Sequence, residues 1–160
     1  MNNINIGLII DRSGSVENEK LTLENSIKLL IESFKRKYKE STDLKLLLIT
    51  WGNEDLSIQE NDFERINLEK IKAKNRSIKE ILEIIEGKFK KLEGDKKIIL
   101  FSDGYFEDED DRFLNERKES KESEIEQISV GIGEGYRKIN LEKFSTNKVV
   151  FEYQDVYDFI

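Results

Sequence analysis

The run Asn5-Ile6-Gly7-Leu8-Ile9-Ile10-Asp11-Arg12-Ser13-Gly14-Ser15 holds the residues of this chain best placed to do chemistry together. A short apolar stretch with the character of a buried strand stops at Asp11, and Ser13 and Ser15 follow with Gly14 between them as a turn residue. One carboxylate and two alternating hydroxyls aimed at one spot are hard oxygen ligands, suited to Mg²⁺, Mn²⁺ or Ca²⁺ rather than to softer metals. A second run, Lys97-Ile98-Ile99-Leu100-Phe101-Ser102, also stops at an aspartate, Asp103, with Gly104 behind it. Ser77 stands immediately before a helical pattern and supplies a third hydroxyl if its loop opens on the same edge. Simpler roles exist for the same residues. The aspartates can serve as polar strand ends bonded to turn amides, and Ser77-Ile78-Lys79-Glu80 reads as a capping box that ties the serine to its own helix.

Positioning these groups requires parallel strands joined by helices. Leu23, Ile27, Leu30, Ile31, Phe34 and Tyr38 recur at helical spacing and predict an amphipathic helix over residues 20–39. Residues 44–51 form a nearly continuous apolar run, the pattern of a strand buried on both faces. Leu56-Ser57-Ile58-Gln59 alternates like a short edge strand, and residues 60–76 carry no clear pattern. Ile78, Ile81, Leu82, Ile85, Phe89 and Leu92 make the stripe of a second helix, ended by Gly94-Asp95. An acidic, solvated helix is expected within 107–124, a strand over 125–132, a short helix over 139–144, a last strand at Val149-Val150-Phe151, and a helical tail from Val156 to Ile160. Strands alternating with helices predict an α/β fold: a doubly wound three-layer α/β/α arrangement of Rossmann type, with a mostly parallel sheet of about six strands and one short antiparallel edge strand. In such sheets ligands bind beyond the carboxyl ends of the strands, where Asp11 and Asp103 meet if their strands are neighbours.

Composition narrows the chemistry. The 160 residues fit one domain, residues 1–160, with a substantial core. Lys+Arg 27 against Asp+Glu 34 gives a net charge of −7, which disfavours an indiscriminate grip on nucleic acid or anionic membrane. The chain has no cysteine and no histidine, so thiol nucleophiles, disulfides, imidazole bases and the usual zinc sites are excluded together. The chain enters a strand within a few residues of Met1, without a basic segment and apolar core, and no apolar run approaches the roughly 20 residues of a membrane span, which predicts a cytoplasmic protein. Gly131-Ile132-Gly133-Glu134-Gly135 is a turn rather than a dinucleotide fingerprint, because its third glycine is misplaced and no long helix follows.

Taken together, the motifs resemble the von Willebrand factor A-type domain with its metal-ion-dependent adhesion site. Asp11-Arg12-Ser13-Gly14-Ser15 matches the D-x-S-x-S motif, Ser77 falls where the family has its threonine, and Ser102-Asp103-Gly104 matches (T/S)-D-G. The order of elements agrees over essentially the whole chain. Asp103-Gly104-Tyr105-Phe106-Glu107-Asp108 is also similar to the T-D-G-x-P-T-D motif of the small bacterial TerY-type domains of tellurium-resistance and stress loci. Asn75-Arg76 replaces the family's glycines before the threonine, and Phe106 replaces its proline.

The resemblance implies that Ser13, Ser15 and Ser77 coordinate Mg²⁺ directly, with Asp11 and Asp103 acting through water or by orienting the serines. It implies no catalysis. A Glu or Asp of another cytoplasmic protein would complete the coordination, with a kinase or phosphatase of the same locus as the inherited candidate and the chain itself a monomer. Two other functions fit the residues. One is a Mg²⁺-dependent phosphohydrolase with Asp11 as nucleophile, although Ser13 occupies the place where haloacid dehalogenase-type enzymes carry their second acid. The other is a metal-independent interaction domain of the same fold. Tyr105, Phe106 and Trp51 are candidate contact residues at the rim.

Overall fold

Alternation along the first strand, β1 (Ile4–Arg12), sets the architecture. Ile4, Ile6, Leu8 and Ile10 enter one hydrophobic cluster and Ile9 enters another, so the strand is buried on both faces. The computed structural model describes residues 3–12, 20–37, 44–52, 67–73, 77–119, 125–133, 135–152 and 155. Ser13, Ser15, the expected edge strand at 56–59 and the expected tail at 156–160 lie outside these residues, as does the side chain of Trp51.

Helix α1 (Lys20–Lys37) lays Ile27, Leu30, Ile31 and Phe34 against the first cluster, together with Leu46 of β2 (Leu44–Gly52) and Ile99 and Phe101 of β4 (Asp95–Ser102). Helix α2 (Ile78–Phe89) places Ile78, Ile81, Leu82, Ile85 and Phe89 in the second cluster with Ile98 and Leu100 of β4. Leu114 of α3 (Asp108–Glu119) and Leu141 and Phe144 of α4 (Lys138–Phe144) join that second cluster. Because odd and even strand positions point to opposite faces, α1 covers one face of the sheet and α2, α3 and α4 cover the other. Each fully buried Ile or Leu in these clusters contributes about 1.5–3 kcal/mol of burial free energy. Gly7 lets α2 lie close on β1, since a Cβ there would sit 3.2 Å from Ile85 Cγ2. Arg117 of α3 pairs with Glu86 of α2 and bonds Gln127 of β5 (Glu126–Gly131), tying three elements of this face together.

The strand order is β3-β2-β1-β4-β5-β6, with β3 at Asn67–Ala73 and β6 at Val150–Glu152. Every pairing among the described residues is parallel. That includes the edge pair β2–β3, and β3 falls in the stretch without a readable pattern; the short edge strand expected at 56–59 lies outside the described residues. The apolar residues of β3 explain the difficulty. Leu68 and Ile71 are three apart, a helical rather than an alternating spacing, and Glu69, Lys70 and Lys72 lie around them, as suits an edge that must not template further pairing. Among the described residues no helix is long and apolar enough to cross a membrane.

The order reverses between β1 and β4. The crevice beyond the carboxyl ends of those two adjacent strands is the topological switch point, and Asp11 and Asp103 both stand at its mouth.

Candidate metal centre

Asp11 shares the face of β1 that carries Ile9, and Ser102 shares the face of β4 that carries Leu100, so both side chains lie on the α2 side of the sheet. Both are buried, and the Ser102 hydroxyl donates to Asp11 Oδ2 at 2.7 Å. The same hydroxyl oxygen accepts the Gly104 N–H at 3.0 Å, so one serine fixes the Asp11 carboxylate and the turn that follows β4. Asp103 is 5% exposed; its Oδ1 accepts the Tyr105 N–H at 3.0 Å and its backbone carbonyl accepts the Arg137 N–H at 2.7 Å. Asn140 Nδ2 donates to the Gly104 carbonyl at 2.8 Å. The Asp103–Gly104 turn is thus clamped from β4 on one side and from the start of α4 on the other.

Ser77 is the N-cap of α2, and its side chain accepts the Glu80 N–H at 3.2 Å. The capping role is therefore met, and it uses one lone pair of a hydroxyl that has two. A second cap comes from across the fold: the carboxylate of Asp110, buried in the first turn of α3, accepts the Ile78 N–H at 2.9 Å. This links the start of α2 to the segment that leaves Asp103. Reading the acidic run Glu107–Asp111 as one solvated face needs correction here, since Glu107, Asp108 and Glu109 are exposed while Asp110 is buried. Burial raises the Asp110 carboxyl above the ordinary range against the lowering effect of the Ile78 N–H, with Glu107, Glu109 and Asp111 pushing it further up. Its charge at neutral pH is thus a net cost to the fold. Asp110→Ala should destabilise the protein by about 1–3 kcal/mol, because the Ile78 N–H loses its partner in a buried place. Asp110→Asn keeps the acceptor and removes the charge, so chemical denaturation at neutral pH should find it at least as stable as the wild type.

Burial also raises the Asp103 carboxyl; the Tyr105 N–H bond opposes this and the neighbouring Asp11 charge adds to it. A folded-state pKa above the unfolded one makes a contribution to stability that is full below the unfolded value and is lost as pH rises through the folded value. In the absence of metal, Asp103 therefore favours the folded protein more as pH falls from neutral towards about 3.9, the ordinary aspartate value. Comparing thermal unfolding of the wild type and Asp103→Asn across that window isolates the effect. A cation needs the carboxylate deprotonated, so Mg²⁺ affinity should fall over the same window.

Among the described residues no three acidic side chains gather within reach of one ion. A cation here would rest on Asp11 and Asp103 together with hydroxyl oxygens. The residues present fit that demand: two adjacent buried carboxylates that raise each other's energy when charged, with the Ser102 hydroxyl on one of them. Asp11 and Asp103 are brought together, and Ser77 is placed at the helix start that Asp110 ties to the Asp103 segment. Ser102, Asn140 and Asp110 carry structural work in the centre that their positions in the chain did not announce. Compared with known proteins, the chain matches no family model and no curated sequence.

Proposed function

We propose that the chain is a von Willebrand factor A-type domain, a doubly wound three-layer α/β/α unit that binds a partner protein in a divalent-cation-dependent way and is not an enzyme. Within that class it resembles the TerY-type domains of stress and tellurium-resistance loci, on the strength of Ser102-Asp103-Gly104 and Asp108. The observation that carries the reading is the pair of buried carboxylates, Asp11 and Asp103, at the ends of adjacent strands, with Ser102 donating to Asp11.

Asp11 and Asp103 would balance the charge of Mg²⁺, while Ser13, Ser15 and Ser77 would supply neutral oxygens. A bound Mg²⁺ with a remaining open position supplies an electrophilic point for a carboxylate of the partner. Ser102 holds the Asp11 carboxylate in place, and Asn140 with the Arg137 amide holds the Asp103–Gly104 turn, so the acids are organised before any ligand arrives. Partner and cation then strengthen one another's binding by the same factor.

Calorimetric titration of Mg²⁺ and Mn²⁺ into chelator-treated protein tests this. The wild type should bind saturably, and Ser77→Ala should bind about tenfold or more weakly. Turnover of p-nitrophenyl phosphate that disappears in Asp11→Asn would establish the phosphohydrolase instead. Partner binding that is equal with and without chelator would establish a metal-independent interaction domain.

A further inference from the structure

We infer that the rim beside Asp103 carries a second recognition point, at which Arg137, stacked on Tyr105, pairs with an acidic side chain of a partner protein that also presents an apolar neighbour. Tyr105 is 56% exposed, so its ring and the arginine against it are open to a partner. The Arg137 guanidinium lies 4.8 Å from the Tyr105 ring centroid, and the Tyr105 hydroxyl donates to the Gly135 carbonyl at 3.2 Å. The stack is anchored to the centre by the Arg137 N–H donated to the Asp103 carbonyl. Its arginine is therefore held in place at little further cost in side-chain freedom.

In a chain of net charge −7, no carboxylate among the described residues pairs with Arg137, and Lys138 beside it is also exposed. In the segment that follows Tyr105 and opens α3, Glu107, Asp108 and Glu109 are exposed. The rim thus carries cationic groups at the start of α4 and anionic ones at the start of α3, with the exposed Tyr105 ring as an apolar surface against Arg137. A segment with an acid facing Arg137 and a Leu-like side chain against the Tyr105 ring matches it. A uniformly anionic polymer does not, because the acids at the start of α3 repel it.

The inference rests on reading this sheet edge as a partner-binding face, and its test varies metal separately. Amide shifts of ¹⁵N-labelled full-length chain are followed during titration with the peptide acetyl-Gly-Leu-Glu-Leu-Gly-amide, first in chelator and then in Mg²⁺. The expected result in chelator is saturable shifts at Tyr105, Arg137, Lys138 and Ile139. They should weaken about threefold to fivefold in Arg137→Gln, and equally when glutamine replaces the peptide's glutamate, as the loss of one exposed charged pair implies. Arg137→Lys should recover only part, since an ammonium lacks the planar fork and stack. The main-chain bonds of residue 137 do not involve its side chain, so the fold survives these changes, and the unaltered remainder of the spectrum verifies it. No saturable shift at the rim, equal binding of the glutamine peptide, undiminished binding by Arg137→Gln, or the same shifts with a short single-stranded DNA would each overturn the inference. Rim binding that Mg²⁺ fails to tighten would uphold it and count instead against the cation bridge.

Discussion

Asp11→Asn is expected to abolish saturable Mg²⁺ binding while leaving the metal-free protein no less stable than the wild type. The amide keeps an oxygen where Oδ2 accepts the Ser102 hydroxyl, so the 2.7 Å bond and the Gly104 N–H bond behind it have no reason to break. What disappears is one of two buried negative charges that raise each other's energy, and the Asp103 carboxyl should return towards its usual range. The folded wild type without metal bears a repulsion that the variant lacks. With metal the order reverses. Mg²⁺ at one hundred times its dissociation constant stabilises the wild type by about 2.7 kcal/mol, and the variant should show no such gain. Thermal unfolding with and without Mg²⁺, run on both proteins, reads the crossing directly.

Gly104→Ala should be costly in a different way. Gly104 has φ +78°, and a Cβ there would lie 2.6 Å from the backbone carbonyl oxygen of Arg137, which no side-chain rotation can relieve. The turn and the start of α4 would have to separate, against the Arg137 N–H bond to Asp103 and the Asn140 bond to the Gly104 carbonyl. The expected destabilisation is about 2–4 kcal/mol, from left-handed strain together with the displaced contacts. Gly87→Ala is the matching control: it lies within α2, and a Cβ there meets nothing within 4 Å. It should stabilise by about 0.5–1 kcal/mol. Urea denaturation of the pair separates a backbone requirement at the site from an ordinary helix preference.

Much of this fold is legible in the chain because its patterns are local. The stripe from Ile78 to Phe89 and the apolar runs ending at Asp11 and Ser102 each carry their own period, and an aspartate closing such a run marks the sheet edge where ligands bind. What escapes is whatever depends on a distant partner. β3 gains its place from pairing with β2, and Leu68 and Ile71 do not alternate. Within α4 a hydrophobicity ranking would bury Ile139 and expose Asn140, yet the structure does the reverse, because Asn140 has the Gly104 carbonyl to satisfy it. Asp110 hides inside an acidic run, and its only local signal is helical spacing to the buried Leu114 four residues on. Ser102 reads as the tail of an apolar strand, although its hydroxyl organises both the carboxylate and the turn.

The most direct test of a cation held at the switch point is paramagnetic broadening by substoichiometric Mn²⁺ in the ¹⁵N-labelled chain. A cation held there selectively removes the amide signals of Asp11, Ser77, Ile78 and Ser102 to Tyr105, and excess Mg²⁺ restores them. Signals at the opposite end of the sheet, such as those of Asp95 and Glu126, which begin β4 and β5, should stay sharp. Broadening spread equally over exposed acids at both ends of the sheet, or no localised broadening at all, would contradict it.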